Sequence, residues 1–175
     1  MNYRSQTDSI SCGPIALINT LIWCGIPGKQ IKSLTYYKKL TQCHRTKNFK
    51  GTHKQHLFKA FKKLEKDLGY FVCEEVKADC PIPEDLKLLL DDKAVSVVID
   101  FPIHLCVNFF PEFKEQWFAH YITIFKQGKY LYATNLFSKN LLRLNKKLLT
   151  RILAPVQTRD QQFPWFIVVT KTSRR

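Results

Sequence analysis

The sequence predicts an α+β fold, with helices first and an antiparallel sheet later. Three observations carry that prediction. An apolar run of helical periodicity begins at Cys12, and a second amphipathic stripe follows between residues 57 and 68. From residue 94 onward, the chain turns to short segments rich in β-branched and aromatic residues. At 175 residues, 45% hydrophobic and 13% aromatic, the chain reads as one domain, 1–175, able to bury its own core.

The first helix starts at Ser11 or Cys12 and shows Ile15, Ile18, Leu21 and Ile22 on its apolar face. Pro14 suits its first turn, and Gly25 with Pro27-Gly28 ends it. A basic, polar stretch then contains a short helix around residues 31–40. Thr52-His53-Lys54-Gln55 reads as a capping box. It opens a helix with Leu57, Phe61, Leu64 and Leu68 in one stripe, closed by Gly69, which leaves His53 and His56 exposed in the first turn.

Residues 70–76 suit a strand, and Pro83-Glu84-Asp85 begins a short helix through Leu90. Strands are expected at 94–100, 103–109, 119–125, 129–134 and 164–170, with one more helix at 145–153. Lys126-Gln127-Gly128-Lys129 joins two strands as a tight hairpin.

Composition narrows the function classes. No apolar run reaches 18 residues, so no membrane-spanning helix is expected. Residues 15–26 resemble the core of a signal peptide, but only Arg4 precedes them as a basic residue and no small-residue cleavage site follows. A cytoplasmic location is expected. The six cysteines form no CxxC pair, so no zinc ribbon or thioredoxin motif is present. Cys43, His44, His53 and His56 fit no metal spacing, and neither a metal nor a cofactor is expected.

The formal charge of +14 is unevenly placed. Residues 29–66 hold twelve Lys/Arg against Glu65 alone, and residues 139–175 hold nine against Asp160 alone. Residues 67–138 are acidic, with eleven acids against six bases. That split is the footprint of a basic face for an acidic protein or nucleic acid, and equally of a solvated lysine surface.

The chemistry centres on Cys12. A thiol at a helix N-terminus is favoured as thiolate, the nucleophilic form. Gln6, six residues earlier, can return beside it as a side-chain donor to an oxyanion, with the backbone N–H of Cys12 as the other donor. The base is expected at His120, which begins the strand His120-Tyr121-Ile122-Thr123-Ile124. If the hairpin turn centres on Gln127-Gly128, His120 faces Asn135 across the strands, with Cβ atoms about 4.5–5.5 Å apart. The Asn135 amide would then fix the imidazole tautomer while the ring takes the proton of Cys12. His104 is the rival base and Asp100 the rival orienter.

The order Gln6, Cys12, His120, Asn135 resembles that of papain-like cysteine peptidases. The nearest likeness is to their bacteriocin-leader-processing, double-glycine branch and its stand-alone relatives. It rests on Gln6, on Ser11-Cys12-Gly13-Pro14-Ile15-Ala16-Leu17, on Gly51-Thr52 before the helix, and on His120-Tyr121-Ile122-Thr123-Ile124. That branch usually carries Asp, often followed by Pro, where this chain has Asn135-Leu136; papain itself carries Asn. The resemblance implies a thiol hydrolase acting on a peptide or isopeptide bond in a protein or peptide substrate, without a cofactor. Related folds also deamidate glutamine or transfer acyl groups. An alternative from another class is a binding module, with the Cys12 site inert and the basic segments 29–66 and 139–175 gripping nucleic acid or an acidic protein.

Overall fold

The computed structural model describes residues 2–8, 10–45, 50–77, 95–102, 119–135, 140–145, 147–149 and 165–172. Three helices precede most of the sheet: α1 (Cys12–Cys24), α2 (Leu34–Leu40) and α3 (Lys54–Leu68), with a 3-10 turn at Gly28–Gln30. A two-stranded hairpin, β1 (His44–Arg45) and β2 (Lys50–Gly51), lies between α2 and α3. The main sheet comprises β3 (Phe71–Lys77), β4 (Val95–Pro102), β5 (Ala119–Gln127), β6 (Tyr130–Thr134), β7 (Leu142–Leu144) and β8 (Trp165–Lys171). Their order is β3-β8-β4-β5-β6-β7, and every neighbouring pair is antiparallel. The architecture is therefore mixed helix and antiparallel sheet, the coarse class that the hydrophobic patterning predicts.

Helix α1 is the centre of the molecule. Every residue from Cys12 to Leu21 is buried, Asn19 and Thr20 included. A helix apolar on most sides must be covered on most sides, so the one-sided face expected from Ile15, Ile18, Leu21 and Ile22 understates its burial. Gly25 ends it at φ 84°, a left-handed conformation that glycine adopts without strain. Helix α3 behaves as its stripe requires: Leu57, Ala60, Phe61 and Leu64 are buried, and Gly69 closes it at φ 67°.

Strand β5 lies between β4 and β6 and packs on α1. Its alternation is regular. Tyr121 and Phe125 join the α1 core, and Thr123 Oγ1 donates to the Ala16 carbonyl at 3.1 Å. Ile122 and Ile124, on the intervening positions, are also fully buried, so both faces of β5 are covered. His120, the second residue of β5, belongs by period to the Ile122 and Ile124 set.

Three details differ from expectation. Helix α3 is capped at His53, without a side-chain bond, and Thr52 Oγ1 instead reaches Thr41 Oγ1 at 3.4 Å. The capping box therefore does not form, because Thr52 is drawn into packing against α1 and α2. His56 is only half-exposed, with Nδ1 buried and unpartnered. The β5–β6 ladder pairs Gln127 with Tyr130 and Thr123 with Thr134. The turn residues are thus Gly128-Lys129, one position later than Gln127-Gly128, and strict pairing of His120 with Asn135 is lost.

The helix at 83–90, the strand at 103–109, His104 and most of the helix at 145–153 lie outside the described residues. At the start of that last segment, Asn145 Oδ1 accepts from Leu148 N at 2.8 Å, a capping bond. Among the described residues, no disulfide joins Cys12, Cys24, Cys43 or Cys73. No helix of the described residues is long and apolar enough to cross a membrane.

Candidate functional site

Cys12 occupies the first position of α1, and the chain before it is shaped to put it there. Asp8 Oδ1 accepts from the amides of Ile10 (3.0 Å) and Ser11 (2.8 Å), an Asx turn that folds the chain into the helix. Ser11 is the N-cap, but its hydroxyl donates to Asp8 Oδ2 at 2.6 Å instead of accepting from a helix amide. The usual third-position partner is missing because Pro14 has no N–H. The N–H groups at the helix mouth are therefore those of Cys12 and Gly13. Lys38 Nζ closes the turn on Asp8 at 2.7 Å. Burial opposes ionisation of Asp8, but the Lys38 ammonium, the Ser11 hydroxyl and the two amides outweigh it and hold the carboxyl well below its usual range.

Gly13 is required by a close approach. A Cβ there would stand 2.8 Å from Thr52 Cβ and 2.9 Å from Thr52 Oγ1. The segment before α3 is thus pressed onto the start of α1, and Cys43 Sγ donates to the Ile10 carbonyl beside it at 3.1 Å. With Thr52 in this place, position 13 has no room for a side chain.

The end of the β5–β6 hairpin carries the second half of the site. Asn135 follows β6 at φ 58°, a left-handed conformation that Asn tolerates better than most residues. The turn of the backbone aims its carbonyl at His120, whose Nε2 lies 2.6 Å away. A carbonyl only accepts, so Nε2 bears the proton and Nδ1 holds the lone pair of the neutral ring. His120 is 8% exposed, and burial depresses its pKa below the ordinary histidine value, against the opposing pull of the Asn135 carbonyl. At neutral pH the ring is therefore an uncharged base.

The Asn135 side chain does something else. Its Oδ1 accepts from the Gln6 amide at 2.8 Å, and its Nδ2 donates to Gln6 Oε1 and to the Tyr121 carbonyl, both at 3.4 Å. The expected side-chain contact from Asn135 to the imidazole is thus replaced by a main-chain one, and the carboxamide instead holds the segment that carries Gln6. Gln6 Nε2 donates one of its two hydrogens to the Asp8 carbonyl at 2.9 Å.

Of the four residues singled out from the sequence, the described hydrogen bonds join Gln6, His120 and Asn135 directly. Helix α1, which begins at Cys12, packs on β5, which carries His120. There Ala16, one turn below Cys12, accepts from Thr20 and Thr123 hydroxyls at 2.9 and 3.1 Å. Asp100 pairs with Tyr121 in the sheet register, one step from the Phe101–His120 pair. Asp8, Asn19 and Thr52 also support the site, and sequence patterning marks them weakly. Asp8 has a local signal, an Asx residue three positions before the helix cap; Asn19 is conspicuous only as a carboxamide within an apolar helix.

No group of three or more potential metal ligands converges among the described residues. His44 Nδ1 is engaged by the Gln42 carbonyl at 2.6 Å, and the His53 and His56 ring centroids lie 5.9 Å apart. No protein-family model matches the chain, and a search of curated proteins finds no relative for it.

Proposed function

We propose that this chain is a papain-like thiol hydrolase, a small cysteine peptidase that uses Cys12, His120, Asn135 and Gln6. The observation that carries the reading is the 2.6 Å bond between His120 Nε2 and the Asn135 carbonyl. It fixes the tautomer whose Nδ1 can take a proton, which is the form a general base needs. The reading requires that Nδ1 meet the Cys12 thiol where the end of β5 reaches the mouth of α1. The thiolate then attacks a substrate carbonyl, and the sulfur–carbon bond forms as the carbonyl electron pair moves to oxygen. The Cys12 amide and the second hydrogen of Gln6 Nε2 receive that oxyanion. His120 returns its proton to the leaving amine, and water completes the cycle by the same route.

Asn135 acts in this scheme with its two halves. The main-chain carbonyl orients the base, and the carboxamide holds Gln6. Asn in place of Asp is then no handicap, since a neutral carboxamide can both accept from the Gln6 amide and donate to its side chain. The exposed face of α3, with Lys59, Lys62, Lys63 and Lys66, favours an anionic protein as the substrate. Glu65 and Asp67 neutralise only Lys62 and Lys63.

Acetylation by p-nitrophenyl acetate tests the reading without knowledge of the natural substrate. One equivalent of nitrophenolate should appear in a burst, with the acetyl group located on Cys12 by peptide mapping. Acetylation scattered over lysines, with Cys12 no more modified than Cys24 or Cys73, would overturn it.

A further inference from the structure

Asn19 lies in the middle of the apolar helix α1 and is 0% exposed. A buried carboxamide is costly unless both its donor and its acceptor are bonded. Both are given to one residue of the N-terminal segment. Arg4 N donates to Asn19 Oδ1 at 2.7 Å, and Asn19 Nδ2 donates to the Arg4 carbonyl at 2.8 Å. Two residues later the same segment is held by Asn135 through the Gln6 amide and Gln6 Oε1. Residues 2–6 have no helix or strand of their own. Two buried carboxamides, one on α1 and one at the hairpin end, bolt them in place, and the Tyr3 ring adds a contact 5.2 Å from that of Phe125.

We infer that Asn19 is a positioning residue that sets the Gln6 carboxamide over the mouth of α1. This rests on the reading of Gln6 as an oxyanion donor. A segment pinned at Asn135 alone could pivot about that point. A second pin two residues away, roughly 7 Å along an extended chain, removes the pivot. The oxyanion donor is thereby fixed to the helix that bears the nucleophile, and not only to the strand that bears the base.

Two reactions of Cys12 separate this role from a merely structural one. Acetylation passes through a tetrahedral oxyanion: sulfur bonds to the carbonyl carbon, nitrophenolate leaves, and the thiol proton goes to His120. Alkylation by iodoacetamide displaces iodide at a saturated carbon and forms no oxyanion. The loss of one oxyanion donor costs about 10²–10³-fold, so Asn19→Ala should slow acetylation by about tenfold or more while alkylation stays within about twofold. Asn19→Ala placed on Gln6→Ala should slow acetylation no further, because both act through one donor. Arg4→Pro, which deletes the Arg4 N–H and leaves α1 untouched, should reproduce the effect even if the helix variant fails to fold.

Hydrogen exchange at the Gln6 amide should become faster in both Asn19→Ala and Arg4→Pro. The inference is overturned if acetylation and alkylation fall together, if the Gln6→Ala and Asn19→Ala effects multiply, or if acetylation is unchanged. If wild-type Cys12 is not acetylated at all, the hydrolase reading fails and the exchange measurement still decides. Unaltered protection of the Gln6 amide in both variants would show that Asn19 does not position it.

Discussion

Helix α1 carries a cysteine at each end, and the two ends differ in their surroundings. Cys24, the last residue, has its thiol pushed up to about 12 by burial, against the pull of the Lys171 charge. It sits at the carbonyl end of the helix, where negative charge is disfavoured. Cys12, the first residue, is 7% exposed, and so is also covered by protein. Its position differs: it stands at the amide end of the helix, just after the Asp8–Lys38 turn. Protein thus buries Cys12 and covers Cys24 in part. In the proposed reading, the helix end and the polar turn before it are what would distinguish a usable thiol from an inert one.

The largest break in that contrast should come from the base. His120→Gln keeps a side-chain N–H for the Asn135 carbonyl but cannot take a proton. Acetylation of Cys12 should fall by about 10²–10⁴-fold, the usual contribution of general-base catalysis, and approach the rate of Cys24. Circular dichroism and melting of the variant should remain close to wild type. A rate within a fewfold of wild type would remove His120 from the mechanism.

The next effect is on stability at the start of α1. Gly13→Ala would place a methyl group 2.8 Å from Thr52 Cβ, so one of the two segments must shift. The expected cost is about 1–3 kcal/mol in urea unfolding, as for other overpacked sites. Thr52→Ala should recover only part of it in the double variant, because alanine removes Oγ1 and Cγ2 but keeps the Cβ at 2.8 Å.

Asn135→Gly separates the two jobs of that residue. Glycine keeps the left-handed turn and the carbonyl bound to His120, and removes the carboxamide bound to Gln6. Acetylation should fall by up to about 10²-fold, toward the effect of Gln6→Ala, and iodoacetamide should still alkylate Cys12 at nearly the wild-type rate. Equal loss of both reactions would mean that the carboxamide also orients the imidazole.

The smallest effect is the pH dependence of folding stability. The pKa of His120 is depressed in the folded chain, so the unfolded chain binds the proton more readily. Its contribution is present above the unfolded value of about 6.5 and is lost as pH falls through the lower folded value. Wild-type protein should therefore lose more stability than His120→Gln between pH 7 and pH 5. Parallel curves for the two proteins would contradict a buried neutral ring.

The elements that frame the two ends of α1 were legible in the sequence because strong local signals mark them. Gly25 and Gly69 fall where left-handed caps occur, and the stripe from Leu57 to Leu64 is regular. The hairpin turn was misplaced by one residue. Gly128 alone of the two turn residues has a positive φ, and the turn type with glycine first shifts the register accordingly. That shift moved Asn135 off the ladder, so its carbonyl meets the imidazole where the side chain was expected. Such a reversal depends on a backbone angle at one residue, which composition does not encode. Thr52 similarly looked like a cap because its neighbours suit one, whereas its place is set by Gly13, 39 positions earlier. Asn19 carried no pattern beyond being polar in an apolar run, because its partner is main chain, which leaves no mark in the identity of Arg4.

The central claim is that Cys12 is the activated thiol, and site-resolved alkylation measures it most directly. Iodoacetamide at pH 6, with each cysteine quantified by mass spectrometry over time, compares all six within one molecule. Cys12 should react faster than the other five, and His120→Gln should remove the advantage. Alkylation of Cys12 no faster than that of Cys24, or an advantage that survives the loss of His120, would contradict the account.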